Sequence, residues 1–131
     1  MLCFICLIFL LNYIQFINQS LIFHITKKNT WEKALANKCF RTESLNTEGF
    51  IHCSPIEKIP EVVNNFYKGQ TELVLLCIDE SKVKSKIIRE DLYGHGFEYP
   101  HIYGELNLDA VINTEDLHCS KDSLFILPDN I

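Results

Sequence analysis

Leu73-Val74-Leu75-Leu76-Cys77-Ile78 is an unbroken apolar run with no polar alternation, and it decides the fold class. A strand that reads apolar on both faces must be covered on both sides, so this run predicts a central strand in a layered domain. Upstream, Leu21 to Thr26 alternates, with Ile22, His24 and Thr26 on one face and Phe23 and Ile25 on the other, which predicts a second strand. Thr30 is the expected cap of a helix running to about Asn37, with Trp31, Ala34 and Leu35 at helical spacing, and Phe40-Arg41 follows as a short extended piece. Downstream, Lys86 to Arg89 predicts a more exposed strand and Asp91 to Gly96 a loop. Phe97 to Tyr103 is aromatic-rich, Ala110 to Asn113 reads as a strand, and Leu124 to Leu127 as a final edge strand or a loose tail.

The stretch Thr47-Glu48-Gly49-Phe50-Ile51-His52-Cys53-Ser54-Pro55 carries the densest functional signal: a turn, a short strand and a helix start. Period-two alternation puts Phe50 and His52 on one face and Ile51 and Cys53 on the other, so His52 and Cys53 do not serve one site as a nucleophilic pair. Ser54-Pro55-Ile56-Glu57 fits a capping box with proline at the first helical position. Backbone donors there would point at the space beside His52 and attract anions. Ile56, Ile59, Val63 and Phe66 continue a helical pattern that stops before Gly69. Pro60 either kinks that helix or marks its proper start, with a looser turn ahead.

Length and composition bound the partners. With 131 residues, 47% of them hydrophobic and 22% charged, the chain is sized for one domain that needs no disulfide to hold a core. A formal charge of −5 and no basic stripe argue against a nucleic-acid partner, leaving a small molecule or a protein. Residues 1–17 carry no charge, and the leader is taken as residues 1–20. As a helix this stretch is about 25 Å long, short of the roughly 30 Å hydrocarbon layer. A signal peptide, a membrane anchor and a misassigned start all fit. No Lys or Arg precedes the apolar run, and Asn18-Gln19-Ser20-Leu21 lacks a small-x-small cleavage pattern. As an anchor, with Lys27, Lys28 and Lys33 just downstream, it would leave the domain facing the cytoplasm with membrane contact through residues 1–17; as a signal peptide it would mean export. Cys3 and Cys6 lie in this leader, and Cys39, Cys53, Cys77 and Cys119 are expected as reduced structural thiols, though four would permit two bridges after export. No Cys-x-x-Cys or His-Glu-x-x-His spacing occurs, so no metal site is expected. Gly94-His95-Gly96 lacks the spacing of a phosphate loop.

Four ordered blocks together resemble one family. They are Phe23-His24-Ile25-Thr26, Phe40 to Leu45 running on to Glu48 to Ser54, Thr71 to Leu76, and Pro100 to Val111, within residues 21–117. The chain resembles the largely bacterial domain of unknown function 952 family, with residues 118–131 left as a tail. The resemblance implies a fold rather than an activity: a small α+β, ADP-ribosyltransferase-like architecture, two antiparallel half-sheets with flanking helices around a nicotinamide dinucleotide cleft. By that likeness His24 takes the place of a ribose-holding histidine, Tyr99 or Tyr103 supplies an aromatic face, and Glu98 or Glu105 the carboxylate, so NAD is the cofactor implied. Neither glutamate stands in a recognisable catalytic motif. A phosphate-transferring branch of that fold would instead recruit His24, Arg41 and Arg89.

Two functional readings therefore stand. In one, a cleft lined by His24, Arg41, His52, Ser54, His101 and Tyr103 admits a nucleotide or another phosphorylated small molecule, and the imidazoles at 24, 52 and 101 look into one hollow between the half-sheets. In the other, the domain is a non-catalytic structural or protein-interaction module, membrane-tethered through its leader. Each residue then has a blander role: His24 ties two strands through a carbonyl, His52 caps a turn against Glu48, and Arg41 forms a surface pair with Glu43 or Glu48. His101 and Tyr103 then close the core with their polar tips in water.

Overall fold

A computed structural model describes residues 3–17, 20–119 and 125–126. Its centre is β3 (Leu73–Asp79), buried along its whole length, as expected for a run with no polar alternation. It pairs antiparallel with β1 (Leu21–Lys27), from Leu21 opposite Asp79 to Lys27 opposite Leu73, and on its other side with β6 (Val111–Cys119). A two-residue β7 (Phe125–Ile126) extends β6, giving the order β1-β3-β6-β7. Leu124 and Leu127, the ends of the anticipated last strand, lie outside the described residues. A second antiparallel sheet has the order β2-β5-β4, from β2 (Ile51–His52), β5 (Tyr99–Tyr103) and β4 (Lys86–Glu90).

Alternation along β1 and β3 splits the apolar residues between two cores. Ile22, Val74, Leu76 and Ile78 join Ile51, Cys53 and Ile102 of the small sheet and its flanks, with Phe40, Leu106 and Ala110 between them. On the other face Phe23, Ile25, Leu73, Leu75 and Cys77 pack against Ile59 and Val63 of helix α4 (Ile59–Phe66). Two isolated bridges stitch the layers, Phe23 to Ser54 and Phe40 to Leu106.

Local signals at the helix starts resolve differently from the sequence expectation. Helix α2 (Lys28–Asn37) begins directly after β1, with Lys27 extended as its cap, so Thr30 lies inside it and caps nothing. The Lys28 N–H donates to the Glu72 carbonyl at 2.8 Å, which satisfies one early donor without a side-chain cap. Leu35 is exposed, leaving Ala34 and the half-buried Trp31 as the packed stripe. Ser54 forms no capping box either. Its N–H and C=O are both engaged by Phe23 at 2.8 Å, holding it extended, and Pro55 continues in that conformation. A 3₁₀ turn over Ile56–Lys58 follows, and α4 proper starts at Ile59 with Pro60 in its first turn, the second of the alternatives left open for that proline. A short α3 (Glu43–Thr47) precedes β2.

The apolar leader forms α1 (Phe4–Ile17), about 21 Å long at 1.5 Å per residue. Phe4, Ile5, Phe9 and Leu11 are exposed. Among the described residues no helix is long and apolar enough to cross a membrane.

Candidate functional site

The small sheet buries Ile51, Ile102 and Ile87 against the first core, so its alternate positions face the other way. Register sets His52 directly opposite His101, and His101 opposite Ile88 on β4. Phe50, His52, His101, Tyr103 and Glu90 therefore gather on one face. The rings of His52 and His101 lie 5.3 Å apart, and Phe50 stacks on His101 at 4.1 Å and 20°. Phe50 also contacts His52 at 4.7 Å and Tyr103 at 5.2 Å.

Hydrogen bonds organise this cluster into two parallel Tyr–Glu–His sets. His101, 3% exposed, donates from Nδ1 to Glu90 Oε1 at 2.9 Å, and the Tyr103 hydroxyl donates to the same oxygen. His52 donates from Nε2 to Glu48 Oε2 at 2.6 Å, while the Tyr93 hydroxyl donates to Glu48 Oε1 at 2.6 Å. The Tyr93 hydroxyl, and after it His52, hold the Glu48 carboxyl below its usual range; Tyr103 and then His101 do the same for Glu90. The reciprocal effect raises Tyr93 and Tyr103 above the ordinary phenol value. Both carboxylates are thus ionised acceptors near neutrality, and both hydroxyls keep their protons. Phe50 and His101 are buried, so what the face offers outward is the exposed rings of His52 and Tyr93 and the part-exposed carboxylates of Glu48 and Glu90.

His24 is set apart. It shares a face of β1 with Ile22, meets Phe40 edge-on at 5.3 Å, and its Nδ1 donates to the main-chain oxygen of His52 at 2.5 Å. Burial pulls its pKa down to about 4, so near neutrality the ring is uncharged with the proton on Nδ1. The expectation that three imidazoles share one hollow is corrected accordingly: His52 and His101 meet ring to ring, while His24 reaches the small sheet through a backbone carbonyl. Ser54 is buried with its main chain in the bridge to β1. Arg41 is exposed and pairs with Glu105, with Asn46 at 3.4 Å, rather than with Glu43 or Glu48. The bridge from Phe40 to Leu106 is what brings position 105 beside position 41. Glu105 is thereby taken, Glu98 is exposed, and Tyr99 packs edge-on against Phe97 at 4.8 Å. Arg89 grips Glu80 through both nitrogens at 2.6 and 2.7 Å. Both arginines that a phosphate-transferring site would recruit are therefore paired with carboxylates.

Glu48, Phe50, Glu90 and Tyr93 are the residues of this cluster that sequence reasoning did not select as candidates. The alternation of Lys86, Ile88 and Glu90 was the available signal, but it acquires meaning only through pairing with Tyr99–Tyr103. Among the described residues no group of three His, Cys, Asp or Glu side chains is arranged to hold a metal ion. A recess of about 460 Å³ opens elsewhere, lined by Lys27, Lys28, Asn29, Glu32, Thr71 and Glu72.

Residues 25–114, from β1 into β6 and across the whole cluster, match the profile of a family described as protein of unknown function (DUF952). The chain belongs to this family. Among solved structures it is similar to the crystal structure of protein CC0527 from Caulobacter crescentus, at 29% identity over 82% of this chain and 94% of that one, with a TM-score of 0.75. A double mutant of CC0527 superposes with a TM-score of 0.74, and the solution structure of CC0527, 28% identical over 79% and 90%, with 0.63. No protein of curated function matches the sequence. Membership of the DUF952 family thus supports the α+β architecture and leaves activity to be argued from the site.

Proposed function

We propose that the outer face of the small sheet binds a nucleoside-containing small molecule, on a framework resembling the ADP-ribosyltransferases, with NAD as the first ligand to try. The observation carrying this reading is the convergence of two Tyr–Glu–His sets on Phe50. Aromatic faces stack planar bases, and ionised carboxylates with imidazoles suit ribose hydroxyls. Glu90, flanked by His101 and Tyr103, is the carboxylate best set to stabilise positive charge developing at a sugar carbon. Recognition would rest on ring and ribose rather than on phosphate, because Arg41 and Arg89 are paired with Glu105 and Glu80. His24, facing Phe40, acts here as a strut that positions β2.

Thermal shift with a panel of NAD, AMP, ADP-ribose, adenosine and simple sugar phosphates tests the reading. A ligand at a hundred times its dissociation constant should stabilise the fold by about 2.7 kcal/mol. We expect nucleoside-containing members to act, Glu90→Gln to weaken the response, and Arg41→Ala to leave it intact. A panel that leaves wild-type stability unchanged removes the proposal.

A second reading, a non-catalytic interaction module, draws support from the exposed apolar surface of α1. Under it, α1 contacts a membrane or a protein partner and the imidazoles are structural. Vesicle co-sedimentation lost on deleting residues 1–17, together with silence across the ligand panel, favours this reading.

A further inference from the structure

Among the described residues strand β4 is an edge of the small sheet. The Cys53 N–H donates to the Pro100 carbonyl, so residue 100 turns its main chain toward β2. Alternation then turns 102 the same way and turns 99, 101 and 103 toward β4. Residues opposite one another share this state, so Lys86, Ile88 and Glu90, paired with Tyr103, His101 and Tyr99, direct their N–H and C=O groups at β5. Ile87 and Arg89 direct theirs outward, off the edge of the sheet.

The sequence Lys86-Ile87-Ile88-Arg89-Glu90 is self-complementary about that edge. A second copy laid antiparallel with a two-fold axis at Ile88 sets Ile87 against Arg89 of the other chain. Those are the outward-facing positions, and the two pairs form four backbone hydrogen bonds. The same register sets Ile88 against Ile88 and Lys86 against Glu90, on the face that carries His101 and Tyr103. Shifting by two residues one way opposes Arg89 to Arg89, and the other way opposes Lys86 to Ile88. Charge therefore selects the central register among those the backbone allows.

We propose that two copies of this chain pair through β4 in that register, joining their small sheets into one of six strands and bringing Lys86 of each copy beside Glu90 of the other. An isologous contact of this kind closes on itself and buries both exposed edges. It also brings the Lys86 ammonium of the other copy beside Glu90, where Arg41 and Arg89, engaged with Glu105 and Glu80, supply no charge. Pairing itself does not depend on the ligand reading; only the use of Lys86 at the site rests on it.

Sedimentation velocity of the full chain across a concentration series tests the proposal, in a non-ionic detergent that masks α1. We expect a reversible dimer, weakened about tenfold or more by Lys86→Glu, which turns two opposite-charge pairs into two like-charge pairs. The register is read separately with Ile88→Cys in a background where the exposed Cys3 and Cys6 are serine. Across the two-fold the α-carbons would lie about 4.5 Å apart, within the roughly 4.4–6.8 Å of disulfides. Copper–phenanthroline oxidation should therefore link the chains, with the bond mapped by mass spectrometry to position 88 on both. A wild type that stays monomeric overturns the proposal. So does a dimer indifferent to Lys86→Glu that forms no link at position 88. Either result leaves the ligand panel to be judged on its own.

Discussion

Replacing His24 with leucine should change the pH dependence of stability in a way its hydrogen bond alone does not foresee. The imidazole has an ordinary pKa of 6.5 when unfolded and about 4 when buried against Phe40. Between those values the unfolded chain holds the extra proton, so stability rises with pH across the window. The contribution is fully present above about pH 6.5 and is lost as pH falls toward 4. The 2.5-unit difference corresponds to about 3 kcal/mol in full, of which about 2 kcal/mol is already gone near pH 5. Leucine removes the donor to the His52 carbonyl and leaves a part-buried acceptor unpaired, a cost of about 1–3 kcal/mol near pH 7.5. It has nothing to titrate. Urea unfolding followed by circular dichroism at about pH 7.5, 6 and 5 should therefore show wild type ahead at the highest pH, with its lead shrinking by about 2 kcal/mol at the lowest. Carboxylates with depressed pKa, such as Glu48 and Glu90, are common to both proteins and largely cancel in the difference. A gap that stays constant within about 0.5 kcal/mol across that range would refute the buried, neutral imidazole.

Other perturbations probe the same architecture. Tyr93 and Tyr103 should ionise above the ordinary phenol range, and ultraviolet titration of Glu48→Gln and Glu90→Gln should bring down one tyrosine each, Tyr93 and Tyr103 respectively. Cys53, whose thiol burial holds strongly protonated, should react with Ellman's reagent only as the protein unfolds, while the exposed Cys3 and Cys6 react at once. Arg41→Ala should cost at most about 1 kcal/mol in urea unfolding, since both Arg41 and Glu105 are about half exposed and a surface pair of that kind is worth little. Gly104→Ala should destabilise by about 1–3 kcal/mol, because φ is +148° there and an added Cβ would sit 2.6 Å from Ser85 Oγ; Ser85→Gly should restore part of that loss.

What the sequence made legible was the part of the fold governed by local periodicity. The apolar run at 73–78 is central because nothing polar interrupts it, and the alternation at 21–26 divides β1 correctly between the two cores. Pro60 marks the start of α4 because a missing N–H is harmless in the first turn. Failures cluster where a distant segment satisfies a local need. Thr30 and Ser54 look like caps, yet Glu72 accepts from the first residue of α2 and Phe23 binds both backbone groups of Ser54. Arg41 passes over nearby Glu43 and Glu48 for Glu105, because a bridge between Phe40 and Leu106 outranks proximity in sequence.

The candidate site shows the same limit at a finer scale. Period two was enough to put Phe50 and His52 on one face, and His101 and Tyr103 on another, but not to say that the two faces are one. That follows from the register of β2 on β5, a tertiary fact carried by Ile51 and Ile102 packing together in the core. Glu90 depends on it still more closely. The strand expected at 86–89 runs one residue further, to Glu90, and that added residue is the carboxylate shared by His101 and Tyr103. A slip of one residue in β4 would take Glu90 off that face and put Lys86 or Ile88 in the place of Ile87, leaving His101 and Tyr103 without their shared acceptor. The register that half-buries Ile87 against the first core is the one that keeps Glu90 in the site, and any substitution meant to test the carboxylate must leave Ile87 untouched.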